Sequence, residues 1–192
     1  MNKRNIGWNF WLQWVLAFTL GAAVGGAIGY IVGRAVGGVL GAALAGLVVG
    51  VALGGAQTLV LGRYLALGTQ WFLATVVGSA VGTIAGGSID KLVLTQTTDF
   101  AGEVVGRAVL GLVLGLAQGW VVRKQLPGVG WWALGCSVAL AMGPFVDRNA
   151  VLLLGLLGEP VATFIRPAVS GAITGSLLVW LLYQSSTPSP KA

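Results

Sequence analysis

The sequence has few charged residues and no histidine. Charged side chains make up 8% of the 192 residues, whereas hydrophobic residues make up 56%. A soluble domain carries about 25% charged residues, so this chain lacks the polar surface that a water-facing protein needs. The absence of histidine removes the commonest general base and metal ligand. We therefore expect a membrane protein that is not an enzyme, with no catalytic residue, no metal and no cofactor.

Cysteine is nearly absent as well. The single thiol, Cys136, excludes a disulfide within the chain and lies in an apolar run, where a small packed residue is the simplest interpretation. The net charge of +6 does not predict a nucleic-acid partner, because the basic residues are spread over the ends of apolar segments.

Long apolar runs are what the chain has instead. A span takes about 20 residues, and six segments meet this length or nearly do: about 9–32, 40–62, 70–89, 103–122, 131–146 and 163–183. The fifth is short, and the apolar stretch 151–157 after it is either a re-entrant or an interfacial piece. The predicted fold is an all-α bundle of six transmembrane helices. It forms a single domain over 1–184, and a disordered cytoplasmic tail follows at 185–192.

The apolar segments repeat. The pattern Gly50-x-x-x-Gly54-x-x-Gln57 recurs 61 residues later and again after a further 60, the last time with Leu178 in place of glutamine. Tryptophans near the start of the odd-numbered segments recur at a similar period. The sequence therefore predicts three helical-hairpin repeats, about 9–62, 70–122 and 131–183. Repeats with an even number of spans share one orientation, so we expect a pseudo-threefold axis along the membrane normal.

Glycines at steps of four place one smooth face on each predicted helix. In lipid, helices associate through close backbone approach, and GxxxG patterns provide it. Helix packing is the first interpretation of this glycine zipper; room for a flat ligand or a narrow pore is the second. The packing glycines are Gly21, Gly25, Gly29, Gly50, Gly54, Gly78, Gly82, Gly86, Gly111, Gly115, Gly171 and Gly175.

Gln57 and Gln118 are polar residues within otherwise apolar segments. An unpaired amide in hydrocarbon is costly, so each is expected either to bond to a neighbouring helix or to line a polar path.

Tryptophans near segment ends are typical anchors at the membrane–water interface. The predicted anchors are Trp14, Trp71, Trp120, Trp132 and Trp180.

Charged residues outside the spans offer one candidate docking site, for a cation or a partner; solvated or paired loop charges are the alternative. They are Glu103, Arg107, Asp147, Arg148, Glu159 and Arg166. No ionisable residue falls in the middle of a predicted span, which argues against an ion-coupled transporter.

The termini and the even-numbered loops hold six of the eleven Lys and Arg and no acid, so both termini are predicted to be cytoplasmic.

The segments 56–63 and 117–124, with Leu126-Pro127 and Trp131-Trp132, carry a family resemblance. They resemble the Ala-Gln-Trp-Leu-Val-Leu-Arg repeat of small multi-pass membrane proteins of cyanobacteria and Chloroflexi. The resemblance implies the multi-pass topology and a bacterial inner membrane, either plasma or photosynthetic. It implies no activity and no catalytic residues, and this chain departs from the pattern at Gly62 and Leu178.

The sequence leaves three hypotheses for function. The first is a structural, accessory or assembly subunit that packs against other membrane protein subunits, with membrane lipids around it. The second is a passive pore or carrier for a small solute along the pseudo-threefold axis, lined by Gln57 and Gln118. The third is a bound lipid or pigment between the glycine-rich helices.

Overall fold

The computed structural model describes residues 7–65, 67–94, 99–126 and 128–185. Over these ranges every regular element is a helix. The helices are α1 (Trp8–Val36), α2 (Gly38–Leu61), α3 (Gly68–Leu94), α4 (Asp99–Val122), α5 (Val129–Ala141), α6 (Gly143–Leu154) and α7 (Gly158–Ser185). A single 3₁₀ turn, Gly155–Leu157, joins α6 to α7. The predicted tail lies outside the described residues apart from Ser185, which ends α7.

Five regions, not six, are long and apolar enough to cross a membrane in the described part of the chain. They are α1, α2, α3 up to Val93, α4, and the helical region Val129–Ser185 taken as one. The prediction of six spans is wrong at the third hairpin. There α5 has 13 residues, a length of about 20 Å against a hydrocarbon core of about 30 Å. It stops at Ala141 because α6 begins immediately afterwards with a proline in its first turn.

The helices pack as a closed ring. Consecutive helices from α1 to α5 contact each other, and α7 contacts both α5 and α1; α6 packs mainly on α7. A tight turn joins α1 to α2, where Gly37 and Gly38 both have positive φ (74° and 59°), a conformation that suits glycine.

We call the end of the bundle that holds the start of α1 and the end of α7 the terminal end. The opposite end, which holds the α1–α2 turn and the start of α4, is the charged end.

Glycines set the spacing between the helices in the ring. A Cβ added at Gly21 of α1 would lie 2.8 Å from Leu53 Cα, and one added at Gly50 of α2 would lie 2.6 Å from Val76 Cα. At each of the twelve glycines predicted to pack, an added Cβ would have an atom of a neighbouring helix within 3.0 Å. The backbones therefore touch at the distance that small-residue packing in membranes requires.

Around the ring the glycine contacts follow one pattern. The Gly50 face of α2 packs on α3, the Gly115 face of α4 packs on α5, and the Gly171 face of α7 packs on α1. In each case the last helix of one predicted hairpin packs on the first helix of the next. These contacts agree with three hairpins, although the repeat itself stays a prediction.

Candidate functional site

Three tryptophans fill the interior of the bundle near the terminal end. Trp14, Trp71 and Trp132 are buried, and their ring centroids lie 5.7–6.3 Å apart. Edge-on and tilted contacts at this separation are the arrangements that aromatic pairs prefer. We call these three residues the tryptophan layer.

Each indole N–H of the tryptophan layer donates a hydrogen bond to a neighbouring helix of the ring. Trp71 Nε1 donates to Gln57 Oε1 at 3.0 Å, and Trp132 Nε1 donates to Gln118 Oε1 at 3.3 Å. Trp14 Nε1 donates to Thr174 Oγ1 at 3.1 Å. The third site therefore uses a threonine one helical turn before Leu178, the position that glutamine occupies in the other two.

The two glutamines also join to each other. Gln118 Nε2 donates to Gln57 Oε1 at 3.3 Å and to Thr75 Oγ1 at 2.9 Å, and both amides are 1% exposed. In this structure they therefore form interhelical hydrogen bonds. They border a void of only about 10 Å³, which is at the lower limit for one water molecule.

The burial of the tryptophan layer differs from the expected position of these residues at the lipid interface. The sequence predicts Trp14, Trp71 and Trp132 to be anchors, and the structure places them inside the bundle instead. The physical reason is that each indole N–H finds a polar partner there, so burial leaves no donor unpaired. Trp120 and Trp180 are 67% and 43% exposed, and their anchor role stays a prediction.

A larger cavity lies between the tryptophan layer and the charged end. This central cavity has a volume of about 570 Å³ and is lined by α1, α2, α3, α4, α5 and α7. Its floor is apolar: Phe18, Leu114 and Leu140 line both the cavity and the small void beside the glutamines. Its polar lining residues are Tyr30, Ser79, Thr83, Arg107, Thr163, Arg166 and Ser170.

Ser79 is unusual among these polar groups. It is 2% exposed, and its Oγ has no hydrogen-bond partner in the described structure. By contrast, Ser170 Oγ donates to Ala139 O and Thr83 Oγ1 donates to Ser79 O. A buried hydroxyl without a partner is costly and calls for an explanation, such as a ligand or water in the cavity. Ser79 and Thr83 lie four residues apart on one helix face, a spacing from which the sequence alone could have identified them.

The charged end carries two clefts next to the central cavity. They are lined by all five carboxylates of the chain, and Arg107 and Arg166 line both the cavity and one cleft each. The structure thus brings together the six residues of the predicted docking site, which lie up to 63 positions apart in sequence. The carboxylates are Asp90, Asp99, Glu103, Asp147 and Glu159.

Two ion pairs hold the arginines at this boundary. Arg166 Nη1 lies 2.7 Å from Asp147 Oδ2, whereas Arg107 Nη2 lies 3.5 Å from Glu103 Oε1 within α4. Asp147 Oδ1 is buried and has no hydrogen-bond partner among the described residues. Over the same residues, no group of three or more His, Cys, Asp or Glu side chains is arranged to hold a metal ion. The cluster therefore offers paired guanidinium groups and carboxylates.

The wall of the central cavity between α1 and α7 is incomplete towards the charged end. The contacts between these helices involve Trp11, Trp14 and Phe18 of α1, near the terminal end. Further along, a Cβ added at Gly26 would meet no atom within 4 Å, and Tyr30 lines the cavity while being 65% exposed. The cavity therefore reaches the bundle surface here, and we call this opening the α1–α7 gap.

Comparison of the chain with protein-family models, with curated proteins and with solved structures finds no match in any of the three.

Proposed function

We propose that this protein is a non-enzymatic integral membrane protein that holds one amphipathic molecule in its central cavity and takes it up from the bilayer through the α1–α7 gap. The apolar helices are compatible with an integral membrane protein. The observation that carries the proposal is the central cavity, which has an apolar floor and polar groups towards the charged end.

The size and lining of the cavity fit a small-molecule site. Such sites have volumes of about 300–1,000 Å³ and combine apolar walls with a few convergent polar groups. Here Phe18, Leu114 and Leu140 form the apolar floor, and Arg107 and Arg166 lie where the cavity borders the charged clefts. A molecule with an apolar tail and a polar head would match both parts of the cavity.

The location of the gap supports uptake from lipid. Its α1 side consists of small residues and Tyr30, and it lies within a helix of 29 residues that is long enough to span the bilayer. A molecule that is dissolved in the membrane can therefore reach the cavity without crossing the charged clefts.

The passive pore hypothesis is less compatible with this arrangement. The tryptophan layer and the hydrogen-bonded pair Gln57 and Gln118 fill the interior between the cavity and the terminal end. A pore would need a passage from the central cavity to the terminal end, whereas a binding site does not. A pigment or lipid in the cavity, by contrast, is a special case of the proposal.

Two glycine-to-leucine variants, one on α1 and one on α2, test the proposal. Gly26→Leu projects a side chain into the cavity, whereas Gly55→Leu on α2 enters open space that borders none of the described pockets; neither Cβ would meet an atom within 4 Å. Native mass spectrometry of delipidated protein with added hexadecanol or hexadecanoate would count bound chains. We expect one chain on the unmodified protein and on Gly55→Leu, and affinity at least about tenfold weaker for Gly26→Leu. Equal binding by both variants would place the chain outside the cavity.

An accessory role is the second candidate, and one surface feature favours it. Leu152, Leu153 and Leu156, at the junction of α6 and α7, are 72%, 81% and 98% exposed. A contiguous apolar projection of this kind is typical of a site that contacts another protein or the membrane.

A pull-down in a gentle detergent from the native membrane tests the accessory role. A stoichiometric partner should be lost with Leu153→Ser plus Leu156→Ser and kept with Leu16→Ser plus Leu20→Ser, a pair of exposed leucines on α1. Recovery of the protein without any partner would remove the support for this role.

A further inference from the structure

We propose that the molecule in the central cavity is a long-chain carboxylate, whose carboxylate group binds Arg107, Arg166 and Ser79 while its chain extends to the apolar floor. This inference rests on the proposed function and specifies its ligand.

The polar groups of the cavity select the sign of the ligand's charge. Among the described residues that line it, the charged ones are Arg107 and Arg166, and the carboxylates of the chain line the outer clefts instead. Guanidinium groups donate hydrogen bonds and cannot accept them. The polar end of the ligand must therefore accept hydrogen bonds, which excludes a protonated amine and favours an anion.

Both arginines keep donors available for such an anion. A guanidinium group has five N–H donors, and the 2.7 Å contact with Asp147 uses Nη1 of Arg166. The Arg107–Glu103 distance of 3.5 Å is longer than the usual range for a charged hydrogen bond of about 2.7–2.9 Å. Both arginines line the central cavity. An anion between them would accept hydrogen bonds from the N–H donors that the two carboxylates leave free.

Ser79 is an independent indication of a ligand at this place. Ser79 is among the residues that line the central cavity, and its hydroxyl oxygen is buried without a partner in the described structure. A carboxylate oxygen can accept the hydrogen bond that this hydroxyl lacks. The serine lies on α3, whereas the arginines lie on α4 and α7, so the three donors surround the cavity from different helices.

The five carboxylates at the charged end make the route of uptake part of the inference. They would repel a free anion that approached the cavity through the clefts from water. An amphipathic acid that is dissolved in the bilayer avoids them by entering through the α1–α7 gap. A lipid-borne acid therefore suits entry through the α1–α7 gap better than a free anion suits entry past the clefts. A phospholipid headgroup has the same acceptor chemistry, but its two chains fit a cavity of about 570 Å³ less well than one chain does.

The test compares three ligands with one chain length: hexadecanoate, hexadecanol and hexadecylamine. Affinities are measured by native mass spectrometry on the full-length protein in a nonionic detergent at pH 8. We expect the unmodified protein to bind hexadecanoate at least about tenfold more tightly than the other two. Arg107→Gln and Arg166→Gln should lose this preference, whereas Arg148→Gln should keep it, because Arg148 lines the outer cleft and not the cavity.

Two milder variants keep the inference testable if an arginine variant fails to fold. Ser79→Ala removes one donor and should weaken hexadecanoate binding several-fold without changing hexadecanol binding. Asp147→Asn removes a competing carboxylate from Arg166 and should strengthen hexadecanoate binding. If Ser79→Ala leaves the affinity for hexadecanoate unchanged and Asp147→Asn weakens it, the carboxylate is not at this place.

The outcomes separate this inference from the proposed function. Equal binding of all three ligands, abolished by Gly26→Leu, would overturn the carboxylate while leaving the cavity as a binding site. Binding of none of them would overturn both. Tight binding of vesicle-derived phosphatidylglycerol but not of hexadecanoate would replace the carboxylate with a phospholipid headgroup.

Discussion

Gln118 is the side chain through which α4 bonds to three other helices in the interior. It donates to Gln57 of α2 and to Thr75 of α3, and it accepts the indole N–H of Trp132 of α5. In a buried site each of these groups depends on the others, because a lost partner leaves an unpaired donor or acceptor away from water. The amide therefore serves as a fixed junction under the floor of the central cavity.

We predict that Gln118→Leu lowers the free energy of unfolding by about 1–2 kcal/mol, because Trp132 Nε1 loses its acceptor. Gln70→Leu is the matched control, since Gln70 is exposed in the first turn of α3, and it should change the stability little. Denaturant titration in detergent micelles, followed by tryptophan fluorescence, measures both. The double change Gln57→Leu plus Gln118→Leu should cost less than the sum of the single changes. Full additivity would contradict a shared hydrogen-bond network.

At the scale of the helix, α2 shows why a glycine zipper packs on one face. Gly50 and Gly54 lie against α3, but a Cβ added at Gly55, one residue further along, would meet no atom within 4 Å. The same residue type therefore serves two purposes within one helix. At the first two positions it allows close contact, and at the third it only lowers the helix propensity.

This difference predicts opposite effects of the same substitution. Gly55→Ala should raise the free energy of unfolding by about 0.5–1 kcal/mol through helix propensity. Gly50→Ala should lower it by about 1–3 kcal/mol, because the new methyl group would lie 2.6 Å from the backbone of Val76 and would force α2 and α3 apart. Thermal unfolding in detergent, monitored by circular dichroism, gives the sign of each change. A stabilising Gly50→Ala would show that the α2–α3 contact is looser than this structure has it.

At the scale of the whole molecule, the third hairpin departs from the other two. Where α1 and α3 have 29 and 27 residues, α5 has 13, and α6 with its 3₁₀ turn completes the path to the start of α7. Glu159, at the start of α7, nevertheless lines the same cleft as Asp99 and Glu103. α5, α6 and the 3₁₀ turn together therefore carry the chain from the terminal end to the charged end.

Side-specific labelling tests this path. In a Cys136→Ala background, which removes the only cysteine, single cysteines replace the exposed residues Arg63, Lys124, Arg34 and Glu159. A membrane-impermeant maleimide should label Arg63→Cys and Lys124→Cys from one side, predicted to be cytoplasmic, and Arg34→Cys and Glu159→Cys from the other. Labelling of Glu159→Cys and Lys124→Cys from the same side would mean that α5 and α6 together do not cross.

Much of the architecture follows from local sequence patterns. Apolar runs near 20 residues predict spanning helices because a backbone in lipid must satisfy its own hydrogen bonds. Glycines at steps of four predict the packing face because helical periodicity is a local property. These two rules are sufficient for α1 to α4 and for the helix contacts of Gly50 and Gly115. They fail for the number of spans, because Pro144 acts within a run whose composition alone resembles a span.

The sequence by itself determined an apolar, all-helical chain with glycine faces, because composition and periodicity act over neighbouring residues. Only the tertiary structure decided where Trp14, Trp71 and Trp132 lie, because tryptophan suits both a lipid interface and an interior that offers its N–H a partner. The tertiary structure also decided that Arg107 and Arg166 meet at a cavity beside an unpartnered Ser79. That meeting depends on how α3, α4 and α7 close the ring, and no spacing along the chain encodes it.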